Sequence, residues 1–139
     1  MDRFFQWLDR NRDTGIFLLR LFVGFRLLEG VVDNIINWQQ MMEFGKFLQN
    51  FGFPVPEICA VISVYAQAVA GLMIILGWQM RYAAMLMIIN FAVALVMVHW
   101  GQTVDEMTLP LLLLFVFIFF LFNGPGSITV ASLQRKKTI

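Results

Sequence analysis

Apolar residues gather in four runs along the chain, separated by short polar breaks, and three of the runs are nearly free of charge. The first run, Thr14 to Asp33, is the exception, because it carries Arg20, Arg26, Glu29 and Asp33. At about 1.5 Å of rise per residue a helix over this run matches a hydrocarbon layer of about 30 Å. At helical spacing Arg26, Glu29 and Asp33 project within about 80° of one another, and Asn37 and Gln40 continue the stripe. Arg20 points elsewhere. An ionisable group at bilayer depth costs about 2.5–3.5 kcal/mol on the insertion scale, so such groups turn toward protein or trapped water. The spacing therefore predicts a first helix whose charged stripe faces inward, with the remaining runs as its cover.

The second run, Glu57 to Leu76, holds Ser63, Tyr65 and Gln67 as polar members, and Ala66, Ala70 and Gly71 allow close helix approach. Gly77 to Arg81 reads as an interfacial turn with Trp78 as anchor. The third run, Tyr82 to Trp100, contains Asn90 and ends on His99. The purely apolar part of the fourth, Leu109 to Phe122, is short for a span and is expected to borrow Asp105 to Thr108, with Pro110 in its first turn. Between the first two runs, Ile35, Trp38, Met41 and Met42, then Phe44, Phe47, Leu48 and Phe51, recur at helical spacing. That pattern predicts an amphipathic helix, stopped by Gly52-Phe53-Pro54-Val55-Pro56.

Together these elements predict an all-α protein: an integral membrane four-helix bundle, up-down-up-down, with a short amphipathic helix after the first span. Residues 1–13 form an amphipathic N-terminal segment or a frayed tail. Residues 14–126 form the bundle, with spans at about 14–33, 57–76, 82–100 and 107–123, and residues 127–139 a basic tail. The first run is longer than a signal-peptide core and contains arginines, so it is expected to remain as a span.

Composition agrees with a bilayer. Hydrophobic residues make up 60% and charged residues only 14%, against about 45–50% and 25% in soluble domains. A net charge of +1 gives no basic field for nucleic acid. Outside the spans, Arg3, Arg10, Arg12, Arg81, Arg135, Lys136 and Lys137 fall on one side and Lys46 alone on the other, which places both termini in the cytoplasm. One cysteine, Cys59, and one histidine, His99, leave a single chain without a disulfide framework, a dithiol relay or a bis-histidine haem. No metal site is expected.

The candidate polar intramembrane site comprises Arg20, Arg26, Glu29, Asp33, Gln67 and His99. Arg26 and Glu29, three residues apart, form either a packing ion pair or a proton-accessible group able to hold a polar head. Arg20 either reaches inward to phosphates or pairs with backbone carbonyls or another subunit. Gln67 and Asn90 bridge helices. Glu29, Asp33, Glu57, Gln102, Asp105 and Glu106 gather around His99 at the outer mouth, and histidine is the side-chain type suited to proton transfer near neutrality. An Arg26→Leu change is expected to lower folded yield more than Arg20→Lys, by stranding two acids in lipid.

Leu19-Arg20-Leu21 with Gly24 and Gly30, then Phe51-Gly52-Phe53-Pro54-Val55-Pro56, Gly71, Leu76-Gly77-Trp78-Gln79-Met80-Arg81, His99 and Gly124-Pro125-Gly126 stand in the order of a known family. Over about residues 15 to 128 the chain resembles the DoxX family of four-helix membrane proteins. It departs where the family commonly has an acid in span two (here Gln67), a lysine after span one (here Asp33) and an acid two residues after a serine (here Thr129). The resemblance implies an accessory or anchor subunit of a respiratory, quinone-linked oxidoreductase in the inner (plasma) membrane. Such a subunit carries no redox centre of its own and is not catalytic alone; quinone is its implied ligand and other membrane subunits are its partners. The alternatives are a non-enzymatic interaction or assembly protein, or a small proton or solute pathway.

Overall fold

The structure, a computed structural model, describes residues 1–137; the last two residues of the tail, Thr138 and Ile139, lie outside them. Among the described residues the chain forms seven helices and no strand: α1 (Asp2–Arg10), α2 (Arg12–Ile36), α3 (Trp38–Gln49), α4 (Pro56–Leu76), α5 (Met80–Met97), α6 (Val104–Asn123) and α7 (Val130–Lys137). Three of these, α4, α5 and α6, are long and apolar enough to cross a membrane. The fourth principal helix, α2, has 25 residues, about 37 Å of length, but Arg20, Arg26 and Glu29 interrupt its apolar stretch. The all-helical membrane bundle is as the pattern predicts, with two more short helices, α1 and α7, in the terminal segments.

Local chemistry sets the boundaries. Asn37 adopts an extended backbone between α2 and α3, and its Oδ1 accepts from Gln39 N at 3.0 Å, capping α3. Gly77, at φ +68°, closes α4, with Trp78 N donating back to Met73 O at 3.0 Å. Thr103 and Glu106 form a capping box that starts α6 at Val104. The early start gives the fourth span its missing length. It also moves Pro110 from the expected first turn into the helix interior, where the bond to the Glu106 carbonyl is forgone.

Helix α2 lies along α4, α4 along α5 and α5 along α6, while α3 packs over the N-terminal half of α4, the end termed outer, opposite the inner end that carries Arg20. The core divides accordingly. An inner cluster joins Val23 and Leu27 to Ala70, Ile74, Met80, Met87, Phe117 and Phe120. An outer cluster joins Val31, Met41, Leu48, Ala60, Val64 and Val98.

The rotation of α2 is fixed where it crosses α4. A Cβ on Gly24 would collide with the Ile75 side chain and lie 2.8 Å from the Gly71 carbonyl; one on Gly71 would lie 3.1 Å from the Gly24 carbonyl. Backbones approach this closely only through glycine. With Gly24 inward, the buried face of α2 is Arg20, Val23, Gly24, Leu27 and Val31. Glu29 and Asp33 then fall on the opposite, exposed face, and Arg26 at its edge. The expectation of an inward acidic stripe is overturned: the charge that enters the bundle is Arg20.

Candidate functional site

At the inner end Arg20 is 1% exposed and is consumed by its own chain. Its Nε donates to Ile74 O at 2.9 Å, a carbonyl that also accepts from Gly77 N at 3.2 Å, and Nη2 donates to Ile75 O at 2.9 Å, so it binds the last carbonyls of α4. Nη1 donates to Pro125 O at 2.8 Å and Ile128 O at 2.6 Å, in the turn after α6. The Phe17 ring lies 5.7 Å from Cζ. Of the readings open for Arg20, pairing with backbone carbonyls is the one realised. The Gly77 backbone abuts the guanidinium, where a side chain would collide.

The same turn is held from a second point. Ser127 N donates to Asp13 Oδ2 at 2.9 Å, and hydrogen bonding from the Ser127 side chain, then from its backbone, holds the Asp13 carboxyl below its ordinary value. A lowered carboxyl pKa stabilises the fold above the unfolded value of about 3.9 and loses that contribution as pH falls through the folded value. Asp13→Ala is therefore expected to lower the melting temperature slightly at pH 6 and to leave it unchanged near pH 2, which a pair of melting curves checks.

The outer half of the bundle is grooved. A cavity of about 360 Å³ lies between α3, α4 and α5, walled by Phe44, Phe47, Leu48, Ile62, Phe91 and Val98 among others. A second, of about 320 Å³, lies between α2 and α6, with Arg26, Gly30, Glu106, Pro110 and Leu113 in its lining. Gln67, Phe91, Ala94 and His99 line both, and so form the partition between them.

Among the described residues the polar side chains that line the first cavity are Ser63, Gln67, Asn90 and His99, together with the Cys59 thiol. Ser63 Oγ donates to Asn90 Oδ1 at 2.9 Å, and Gln67 Nε2 donates to Ser63 Oγ at 3.2 Å. Ser63, rather than Gln67, thus bridges α4 to α5. Among the described residues nothing bonds Gln67 Oε1 or Asn90 Nδ2, which leaves one acceptor and one donor at the apolar chamber. His99 Nδ1 lies 2.6 Å from Gln102 Oε1. Donation to that amide oxygen puts the neutral ring's proton on Nδ1 and leaves Nε2 as acceptor.

The six candidates therefore separate. Gln67 and His99 share both cavities, Arg26 borders the second, and Arg20 belongs to the inner lock. Arg26 donates to Glu29, and the Glu29 side chain is 55% exposed. Asp33 is exposed and outside both cavities. The proposed gathering of acids around His99 is reduced to Glu106, whose carboxylate serves the capping box. Among the described residues no cluster of histidine, cysteine and acids could hold a metal ion. Ser63 and its bond to Asn90 were missed as a site, although Ser63 and Gln67, four apart in an apolar helix, share a face.

A family model, DoxX, matches residues 15–100. No curated protein and no solved structure matched the chain. The match runs from the first turns of α2 through α5 and takes in Arg20, the Gly24–Gly71 crossing, the Ser63–Asn90 bridge and His99. Covering more than half of the chain, it establishes that this multi-pass membrane protein belongs to the DoxX family.

Proposed function

We propose that the protein is a membrane-embedded accessory subunit of a quinone-linked oxidoreductase, and that the cavity between α4 and α5 holds the quinone head. The observation that carries this reading is the unused donor and acceptor, Asn90 Nδ2 and Gln67 Oε1, at an otherwise apolar chamber. A quinone is a small ring with hydrogen-bonding oxygens on an apolar body, and apolar pockets with a few convergent polar groups suit such ligands. Asn90 Nδ2 donates to a quinone carbonyl, and Gln67 Oε1 accepts from the hydroxyl of the reduced form. His99 Nε2, at the partition, is placed to accept a proton. The chain supplies binding and orientation; electrons come from partner subunits. Both termini lie in the cytoplasm and the membrane is the inner (plasma) membrane, on the distribution of arginine and lysine.

Purification in gentle detergent, with organic extraction and identification of bound partners, tests this. Quinone is expected in the extract, with haem- or flavin-bearing subunits co-purifying. Asn90→Leu, which preserves bulk and removes the donor, is expected to weaken binding of a short-chain quinone about tenfold or more. Unchanged affinity in Asn90→Leu, or a chain purified free of quinone and of redox subunits, would contradict the proposal.

A further inference from the structure

Among the described residues, nothing in the protomer covers the face of α2 that turns away from α4. Leu18, Phe22, Phe25, Glu29, Val32 and Ile36 follow one another at alternating steps of four and three, and all six are exposed. That alternation is the seam along which two helices supercoil left-handed.

The seam's one charged member sits at mid-membrane depth. Helices α2 and α4 run antiparallel, with Arg20 at Ile74 and Ile75 and Gly24 at Gly71. Continued residue for residue, this register sets Glu29 level with Ala66, the middle of α4. Arg26 lies about one turn to the inner side of that level and Asp33 about one turn to the outer side. Ionised groups at such depth turn to protein or trapped water rather than acyl chains, yet Glu29 and Asp33 are exposed.

The strip is complementary to itself. Two copies in one membrane share one orientation, so a two-fold axis along the membrane normal makes their α2 helices parallel. Glu29 of each copy then approaches the axis, flanked by Arg26 of the other. We infer that α2 pairs with α2 of a second copy of this chain along the Leu18–Ile36 seam, with the two Arg26–Glu29 pairs merged into a neutral four-charge ring. A charged residue at a single seam position fixes the register of the pair. Any other covering helix would have to bring basic groups of its own to the same depth. The pairing does not depend on the ligand in the cavity.

The test uses the full chain in native membranes with Cys59→Ala as background. Phe22→Cys and Phe25→Cys, both on the seam, are expected to form disulfide-linked dimers on mild oxidation. Phe115→Cys, equally exposed but on α6, is not. Arg26→Glu is expected to lower the cross-linked fraction on the order of tenfold, the scale of an interhelical polar contact, and adding Glu29→Arg should restore it. Cross-linking at Phe115→Cys as efficient as on the seam would overturn the pairing. So would no dimer at either seam position, capture of a different polypeptide there, or indifference to Arg26→Glu.

Discussion

Replacing Arg20 by leucine is expected to abolish recovery of folded protein, because four backbone carbonyls lose the same guanidinium together. Those of Ile74, Ile75, Pro125 and Ile128 have converged on one guanidinium. With hydrogen bonds to charged groups contributing about 1.5–3 kcal/mol each, the combined loss is about 6 kcal/mol or more. Arg20→Lys keeps the charge but not the planar fork, and one ammonium cannot reach two carbonyls at the end of α4 and two beyond α6. It is expected to lose about half as much, roughly 3–6 kcal/mol. Arg26→Leu removes one ion pair with Glu29, on the face of α2 turned away from α4, and leaves the backbone contacts of the bundle in place. The expected order of damage, Arg20→Leu over Arg20→Lys over Arg26→Leu, reverses the ranking that charge spacing suggests. Melting of the detergent-solubilised chain followed by size-exclusion chromatography checks it. Arg26→Leu more damaging than Arg20→Lys would contradict the inner lock.

Gly24→Ala is the second large effect. One methyl group there meets the Ile75 side chain and the Gly71 carbonyl, and backbone cannot step aside as a side-chain tip can. Overpacking of this kind costs about 1–3 kcal/mol. Gly71→Ala meets its neighbours at 3.1 Å or more and should cost less. Gly30→Ala finds only the Arg26 guanidinium, at 3.6 Å, and should be neutral or slightly stabilising, since alanine suits a helix better than glycine. Separation of α2 from α4 also draws Arg20 off Ile74 and Ile75. The Gly24→Ala and Arg20→Lys effects should therefore fall well short of additive in a double-mutant cycle.

These two sites explain what the sequence made legible. Four apolar runs, their breaks and the amphipathic segment before Pro54 follow from periodicity and proline chemistry alone. Relative angles on α2 were also readable: Arg20 does stand apart from Arg26, Glu29 and Asp33. The absolute rotation was not, because a helical wheel does not say which side meets a neighbour. An expectation drawn from the cost of charge alone turns the wrong face inward. Gly24 decides the matter, by seven-residue spacing to Val31 on one side and close approach to Gly71 on the other, and it overrides three charges. Pro110 was misplaced for a related reason, since the Thr103–Glu106 capping box starts α6 before its apolar part begins. The cavities were beyond reach of sequence, as a hollow is the absence of side chains from four different helices at one level. Their polar lining was visible one residue at a time, in Ser63, Gln67, Asn90 and His99.

The bundle is locked at one end and open at the other. Arg20 ties α2, α4 and the turn after α6 into a rigid base, and preorganised polar groups on α4 and α5 face the chamber beyond it. In the function proposed above this chamber holds the quinone head, and photoaffinity labelling of the full chain in native membranes tests that most directly. An azidoquinone is expected to attach to peptides of α4 and α5 carrying Ser63, Gln67 and Asn90, with labelling displaced by excess unmodified quinone and lost in Asn90→Leu. Labelling spread over the lipid-facing side of α6, or undiminished by competitor, would contradict it.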